Sequence, residues 1–289
     1  MTEPRKYATA TAFRRALEER LKQRAREEQV DLQRLRRQVA FDRLLARLFC
    51  QENAPWALKG GYAIELRIAH ARTTKDIDLV LHDLRLLSDA EEDKRQAILD
   101  ALQETTAIDL GDFFVFLIGL PARNLEGAPY GGVRYPVEAR VDGRIFVKFH
   151  LDVGIGDVNM EPLDIVEGRD WLAFMGIPNP RFKMIPKEQQ FAEKLHAYTL
   201  PREVAPNSRV KDLVDMVILI NLGTMDREKL LWVIGATFSR RDTHPVPENL
   251  SEPPKEWEKP FAALARECKM NENMAEAFDF LNAFLSSLL

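Results

Sequence analysis

The chain has 289 residues, 46% apolar and 30% charged, with a formal net charge of −4. That is enough apolar material for one large domain or two small ones, and so near-neutral a balance excludes a general polyanion binder. Two cysteines, Cys50 and Cys268, exclude a disulfide framework, and their apolar neighbours mark them as buried thiols. No apolar run approaches the roughly 20 residues of a membrane span and no signal peptide precedes the charged N-terminus, so a cytoplasmic protein without membrane contact is expected.

Charge is uneven along the chain. Residues 1–50 hold 13 Lys and Arg against 7 Asp and Glu. Such a surface suits an acidic partner or nucleic acid, although alternating charge is more often a solvated helix face. The same region predicts a hairpin of two helices from about Ala10 to Asn53. Thr11 caps the first, in which Phe13, Leu17 and Leu21 recur at a spacing of four. Asp31 caps the second, with Leu32, Leu35, Val39, Leu44 and Leu48 on one stripe.

The hairpin leads into KGGYAIELRIAHARTTKDIDLVL, Lys59 to Leu81, the stretch with the most specific chemistry. Gly60 and Gly61 follow an apolar run (Trp56, Ala57, Leu58). Lacking a Cβ, they allow unusual dihedrals and a close approach of backbone to a phosphate. A helical segment follows, and two threonines then lead to Asp76 and Asp78 at the start of a strand. Side chains alternate along a strand that rises roughly 3.3 Å per residue, so the two carboxylates share a face while Ile77 and Leu79 point inward. Carboxylates brought to roughly 5 Å repel by about 3 kcal/mol at an effective dielectric near 20. A hard divalent cation that keeps ligand positions for substrate phosphates answers that repulsion. The alternative is a solvated strand face with no metal.

Ser88 to Thr106 predicts an amphipathic helix with Ile98, Leu99 and Leu102 inward. Strands are expected over Phe113–Leu120, Gly132–Glu138 and Arg144–Val153. In the last, Phe146, Lys148, His150 and Asp152 share one face and Ile145, Val147, Phe149 and Leu151 the other. Asp152 emerges near the strand end before an open loop at Gly154 and Gly156. It is either a third acid of a metal cluster or a cap on that loop.

Pro178 to Pro186 reads as a boundary, which divides the chain into 1–180 and a wholly helical 181–289. Lys187 to Thr199 turns Phe191, Leu195 and Tyr198 inward and leaves Glu193, Lys194 and His196 on other faces. Asn207 or Ser208 caps the next helix, Val210 to Leu222, which has Asp212 and Asp215 on a shared side. A first-turn carboxylate such as Asp212 is favoured by the helix dipole without any catalytic role. Residues 237–260 form a proline-rich polar loop in which Arg240, Arg241 and His244 either reach a substrate or are solvated. His244 lacks the neighbours of a metal ligand. One or two amphipathic helices from Phe261 to Leu289 close the core.

Four ordered blocks, KGGYAIELR at 59–67, RTTKDIDL at 72–79, LDVGIGD at 151–157, and AEKLHAY at 192–198 followed by RVKDLVDM at 209–216, resemble the AbiEii/AbiGii group of nucleotidyltransferase-like toxins, which includes the MenT-type toxins. The resemblance spans roughly residues 10–225. It implies an α+β fold with a DNA polymerase beta-like core, a small mixed sheet closed over a nucleotide cleft by the helical C-terminal part. It implies Gly60 and Gly61 at the triphosphate and Asp76, Asp78 and Asp152 as ligands of Mg²⁺ or Mn²⁺. Lys194 would contact phosphate, with Arg72, Arg209 and Lys211 as further cations, and Asp212 would join the catalytic set. The substrate implied is an NTP. The acceptor implied is an RNA, tRNA 3′ ends in particular, whose modification would block translation, and a cognate antitoxin is the implied partner. The basic N-terminal helices and the Arg240–His244 segment are candidates to hold the RNA. One departure stands out: the superfamily's glycine-serine pair is glycine-glycine here, with a long gap to Asp76. Thr74 sits where some relatives carry a modifiable hydroxyl, which implies control by phosphorylation. Transfer to a protein hydroxyl or a small molecule, and a nucleotide-binding module without turnover, remain the competing readings.

Overall fold

A computed structural model describes residues 7–82, 91–125, 129, 131–202 and 208–288, without the side chains of 91–93 and 123–125. The predicted helical hairpin is present as α1 (Ala10–Glu28) and α2 (Leu32–Leu48). Asp31 caps α2 by accepting a hydrogen bond from Arg34 N at 2.9 Å. The cap of α1 is Thr9 rather than Thr11. Thr9 accepts from Ala12 N at 3.2 Å, whereas Thr11 lies inside the helix and donates to Asp142 of a distant turn. Cys50 is exposed, against expectation, because α2 has ended and its buried stripe no longer reaches it; Cys268 is buried.

The α+β core is an eight-stranded mixed sheet in the order β3-β5-β6-β2-β1-β8-β7, with β4 paired to β5 off that path. β1 (Trp56–Lys59) runs into α3 (Gly60–Arg67), and β2 (Ile77–Leu81) returns antiparallel to β1. The Ser88 start of the next predicted helix lies outside the described residues, and α4 (Glu91–Thr106) is its observed extent. β3 (Phe114–Ile118), β4 (Arg123–Leu125), β5 (Gly132–Val141) and β6 (Arg144–Ile155) follow. β5 and β6 form a hairpin whose tight turn places Asp142 and Gly143 at φ 57° and 65°, the paired positive dihedrals for which an Asp-Gly step is suited.

Two expectations about β6 change. A bulge opposite Ala139 and Arg140 flips the first residues, so that Phe146 is buried and Ile145 is exposed, while Val147, Phe149 and Leu151 keep the inward face. The strand also continues past Asp152 through Gly154 to Ile155, held by parallel pairing with β2. The proline-flanked stretch near 180 contains β8 (Arg181–Met184), which pairs with β1 and with β7 (Asp164–Glu167). Phe182 and Met184 of β8 are buried at every second position, a pattern too short to be read from sequence alone.

Helices α1, α2 and α4 cover one face of the sheet around Phe41, Leu44, Leu99, Tyr135 and Leu151. A second core joins α5 (Lys187–Thr199), α6 (Val210–Asn221), α7 (Arg227–Arg241), α8 (Glu258–Glu267) and α9 (Met274–Leu288). Ile64 of α3 is buried in it. α7 is capped by Asp226, which accepts from Glu228 N and Lys229 N. It runs through Arg241, so the start of the expected long loop is helical. Ser208 does not cap α6, whose cap position is Arg209, and Asn207 lies outside the described residues. His196 is buried rather than outward, since α5 is packed on by both α6 and α7.

Candidate active site

The sheet brings the first half of the site together through register. Asp78 of β2 is the parallel partner of Asp152 on β6, so the two carboxylates stand side by side on adjacent strands. Gly60 sits at φ +68°, and a Cβ there would overlap the Asp78 carboxylate. Burial first, and then the charge of Asp152, push the Asp78 carboxyl up to about 6. On the other side of Asp152, Arg134 of β5 grips it with two hydrogen bonds, Nε to Oδ1 at 2.7 Å and Nη2 to Oδ2 at 2.6 Å. The same Nη2 donates to Asp76 at 3.4 Å. Asp76 Oδ1 accepts from His150 N at 3.3 Å and lies 3.1 Å from His150 Nδ1.

The opposite wall comes from α5, α6 and the loop before β2. Lys194 donates to Asp212 at 3.2 Å and to Asp215 at 2.6 Å. Arg72 makes a two-pronged pair with Asp215, at 2.8 and 2.7 Å. Burial opposes charge on Asp215, but Lys194 and Arg72 overcome it and hold its carboxyl below the ordinary range. Burial likewise opposes the Lys194 ammonium, and Asp215 and Asp212 keep it charged. Lys59 donates to Asp157 at 2.5 Å and Glu193 at 3.1 Å, and Arg241 reaches Asp157 at 2.8 Å. This wall is a lattice of cations alternating with carboxylates.

The residues that the resemblance assigns to the nucleotide and metal site line one cavity of about 620 Å³: Gly60, Gly61, Arg72, Thr74, Asp76, Asp78, Asp152, Lys194, Arg209, Lys211 and Asp212. Arg241, expected either to reach a substrate or to be solvated, lines it as well. Lys59, Arg134 and Glu193 line it too and were not anticipated as site residues, and Asp157 and Asp215 anchor its walls. Arg134 was legible in principle, because GVRYPVE puts it on the same face of β5 that Asp152 occupies on β6. Its pairing depends on strand register, which no local pattern reports. Arg240 and His244 do not form a free loop, since Arg240 donates to Gly156 O and His244 lies 2.8 Å from Thr199 Oγ1.

The family model for the AbiEii nucleotidyl transferase toxin of type IV toxin-antitoxin systems matches residues 43–283. The chain belongs to the AbiEii family. It is thus a nucleotidyltransferase toxin of a type IV system, a family that uses an NTP with a divalent metal and has an antitoxin as counterpart. Its fold is that of MenT4, a nucleotidyltransferase toxin of Mycobacterium tuberculosis H37Rv. The two share 16% identity with a TM-score of 0.57, over 87% of this chain and 82% of that one. JHP933 of Helicobacter pylori aligns at 14% identity with a TM-score of 0.49, over 89% of this chain and 92% of that one. No curated protein sequence matches. Among the described residues, no helix is long and apolar enough to cross a membrane.

The carboxylates of this AbiEii chain suit the divalent metal its family uses. Among the described residues, no three His, Cys, Asp or Glu side chains are gathered into a ready cage, because Asp76 is turned to His150 and Arg134. A Mg²⁺-type ion needs only one or two carboxylates when substrate phosphates complete its shell. Asp78 and Asp152 provide that number, and the raised Asp78 carboxyl marks a charge for which a cation is the natural complement. The AbiEii chain's missing serine also has a structural counterpart. A Cβ at Gly61 would come within 2.8 Å of Thr74 Oγ1 and 3.2 Å of Arg72 Nη2, so these two side chains fill the space a serine would take.

Proposed function

We propose that this toxin transfers an NMP from an NTP to the 3′ end of an RNA, tRNA in particular, with Mg²⁺, and so blocks translation. The observation that supports it most is the register pairing of Asp78 with Asp152 beneath the Gly60 turn, facing the Lys194 and Arg72 wall across one cavity. Asp78 and Asp152 would hold the metal, joined by Asp76 once it turns from Arg134 and His150, and the metal would supply charge neutralisation at the reacting phosphate. The first turn of α3 has no side-chain cap, so its amides are available to the triphosphate, as is common at helix N-termini. Thr74 adds its hydroxyl where relatives use serine.

Lys194, Arg72, Arg209 and Lys211 meet the phosphate charge, and Asp212 orients Lys194. The acceptor's 3′ oxygen forms a bond to the α-phosphorus as the bond between that phosphorus and the bridging α–β oxygen breaks. Pyrophosphate leaves with the electron pair, and the hydroxyl proton passes to Asp76, whose Oδ1 is beside His150 Nδ1.

The test is to incubate the protein with Mg²⁺ and each labelled NTP against total RNA or total protein. Label on RNA supports this reading, and label on protein alone overturns the acceptor. Asp76→Ala and Asp78→Ala should abolish labelling with the fold intact, so retained transfer in either refutes the metal assignment. Lys194→Ala should raise KM for the NTP, and a change in thermal stability alone would make Lys194 structural.

A further inference from the structure

Among the described residues, the face of the sheet opposite the helices α1, α2 and α4 is uncovered over β3, β5 and β6. Val115 and Leu117 of β3 are 56% and 47% exposed, and Ile145 at the hairpin end is 48% exposed. Pro136, Glu138 and Arg140 of β5 and Lys148 and His150 of β6 share this face by period and pairing. Together with Arg37 of α2 they line a groove of about 760 Å³.

Three features make this groove more than a bare surface. It meets the nucleotide cavity at Lys75, Asp76 and Arg134, which line both. Its lining has five Lys and Arg side chains against two carboxylates. One of those carboxylates, Glu138, is shared between Arg140 at 2.5 Å and Lys148 at 2.7 Å, and so cannot neutralise both. Arg37 adds a buried Nε with no hydrogen-bond partner among the described residues. The floor between the cations is aliphatic, at Leu117 and Pro136.

We infer that this groove is the bed of the acceptor, and that its occupant is the single-stranded end of an RNA. Backbone phosphates lie against Arg37, Lys75, Arg140 and Lys148, bases rest on Leu117 and Pro136, and the terminal hydroxyl arrives at Asp76. Three strands span about 10 Å, which suits one extended chain. Single-stranded RNA with splayed bases is the form that sheet faces and guanidinium planes bind. A protein partner would call for an apolar centre depleted of charge, and here the cations are central. The inference rests on the RNA-transfer reading above.

The experiment measures binding of a fluorescent single-stranded RNA with a free 3′ hydroxyl, by anisotropy across a salt series, without NTP or metal. Arg140→Glu with Lys148→Glu should weaken binding on the order of tenfold or more and flatten the logarithmic salt slope by about 1.4, the loss of two phosphate contacts on a single strand. Glu138→Gln removes a carboxylate rather than a cation and should tighten binding several-fold. Leu117→Asp should weaken it. NTP binding should be unchanged in every variant. Were the charge-reversed and Leu117→Asp proteins to bind RNA with unaltered affinity and slope while the parent still labels RNA, this groove would be the wrong surface and the function would stand. Loss of affinity for a protein antitoxin without loss for RNA would overturn it in the same way. A parent that neither binds nor labels RNA overturns both.

Discussion

Gly60 shows how much one residue can constrain. It meets two demands at once: a left-handed dihedral, which costs an L-residue roughly 1–2 kcal/mol, and a void that the Asp78 carboxylate already fills. Gly60→Ala should therefore lower stability by about 2 kcal/mol or more, since overpacking adds to the dihedral term. It should also cut transfer far beyond the fraction unfolded, because Asp78 must move. Urea unfolding with a parallel transfer assay checks this, and wild-type values in both would show the turn to be dispensable. The glycine pair was legible because glycine carries local backbone meaning wherever it occurs. Thr74 as the substitute for a serine hydroxyl was not, since the twelve residues 62–73 of α3 and loop separate it from Gly61 and only folding closes that distance.

At the scale of elements, α5 is where helical periodicity misled. Spacing assigns Phe191, Leu195 and Tyr198 to the core, and they are buried. His196 is buried as well, its ring against Phe238 and His244 and its Nε2 2.8 Å from Thr243 Oγ1. Burial, then the charges of Arg241 and His244, push its imidazole down to about 4. The folded chain thus binds this proton less readily than the unfolded one, whose ordinary value is about 6.5. Stability from the neutral ring is complete above that value and is lost as pH falls towards 4. The loss between pH 7 and 5 should be about 2 kcal/mol. Chemical denaturation at the two pH values should show it in the parent and not in His196→Gln, and equal pH dependence in both would refute it.

Helix α2 offers a second case at this scale. Its basic residues, read as a surface for an acidic partner, are largely committed internally. Arg43 donates to Asp112 at 2.6 Å and Arg47 at 2.7 and 2.9 Å, all deeply buried, while Arg34 pairs with Glu65 and Arg36 with Glu18. Although burial opposes it, the two guanidiniums hold the Asp112 carboxyl below its usual range. Asp112→Ala would strand two buried cations and should cost about 3–5 kcal/mol in urea unfolding. A loss under about 1 kcal/mol would show that the tie between α2 and β3 is not structural. Arg37, without an ion pair among the described residues, is the α2 cation left to face a groove.

Across the whole molecule, the sheet core and the helical core meet along the charged wall of the cavity. Asp215 of α6 is its hub, since it holds both Lys194 and Arg72 from opposite sides of the seam. Asp215→Ala leaves two buried cations facing each other and should destabilise the free protein by about 3–5 kcal/mol. An NTP would bring replacement negative charge. The rise in Tm on adding NTP should therefore be larger in Asp215→Ala than in the parent, and an equal or smaller rise would separate the seam from the nucleotide site.

What the sequence determined by itself is what short-range physics encodes. The helical hairpin, the Gly60 turn, the strand that begins at Ile77 just after Asp76 and carries Asp78, and the α5 boundaries all follow from caps, periodicity and glycine, which act over a few residues. The resemblance of four ordered blocks added the family and the nucleotidyltransferase fold. Tertiary structure alone decided which strands are neighbours. That choice set Asp152 beside Asp78, placed Arg134 between Asp152 and Asp76, and enlisted Lys59, Asp157 and Arg241 in the wall. Among the described residues it also left the β3–β5–β6 face open. The reason is that strand register and burial are set by the sum of many distant contacts, and a charged side chain's partner is chosen only when those contacts have formed.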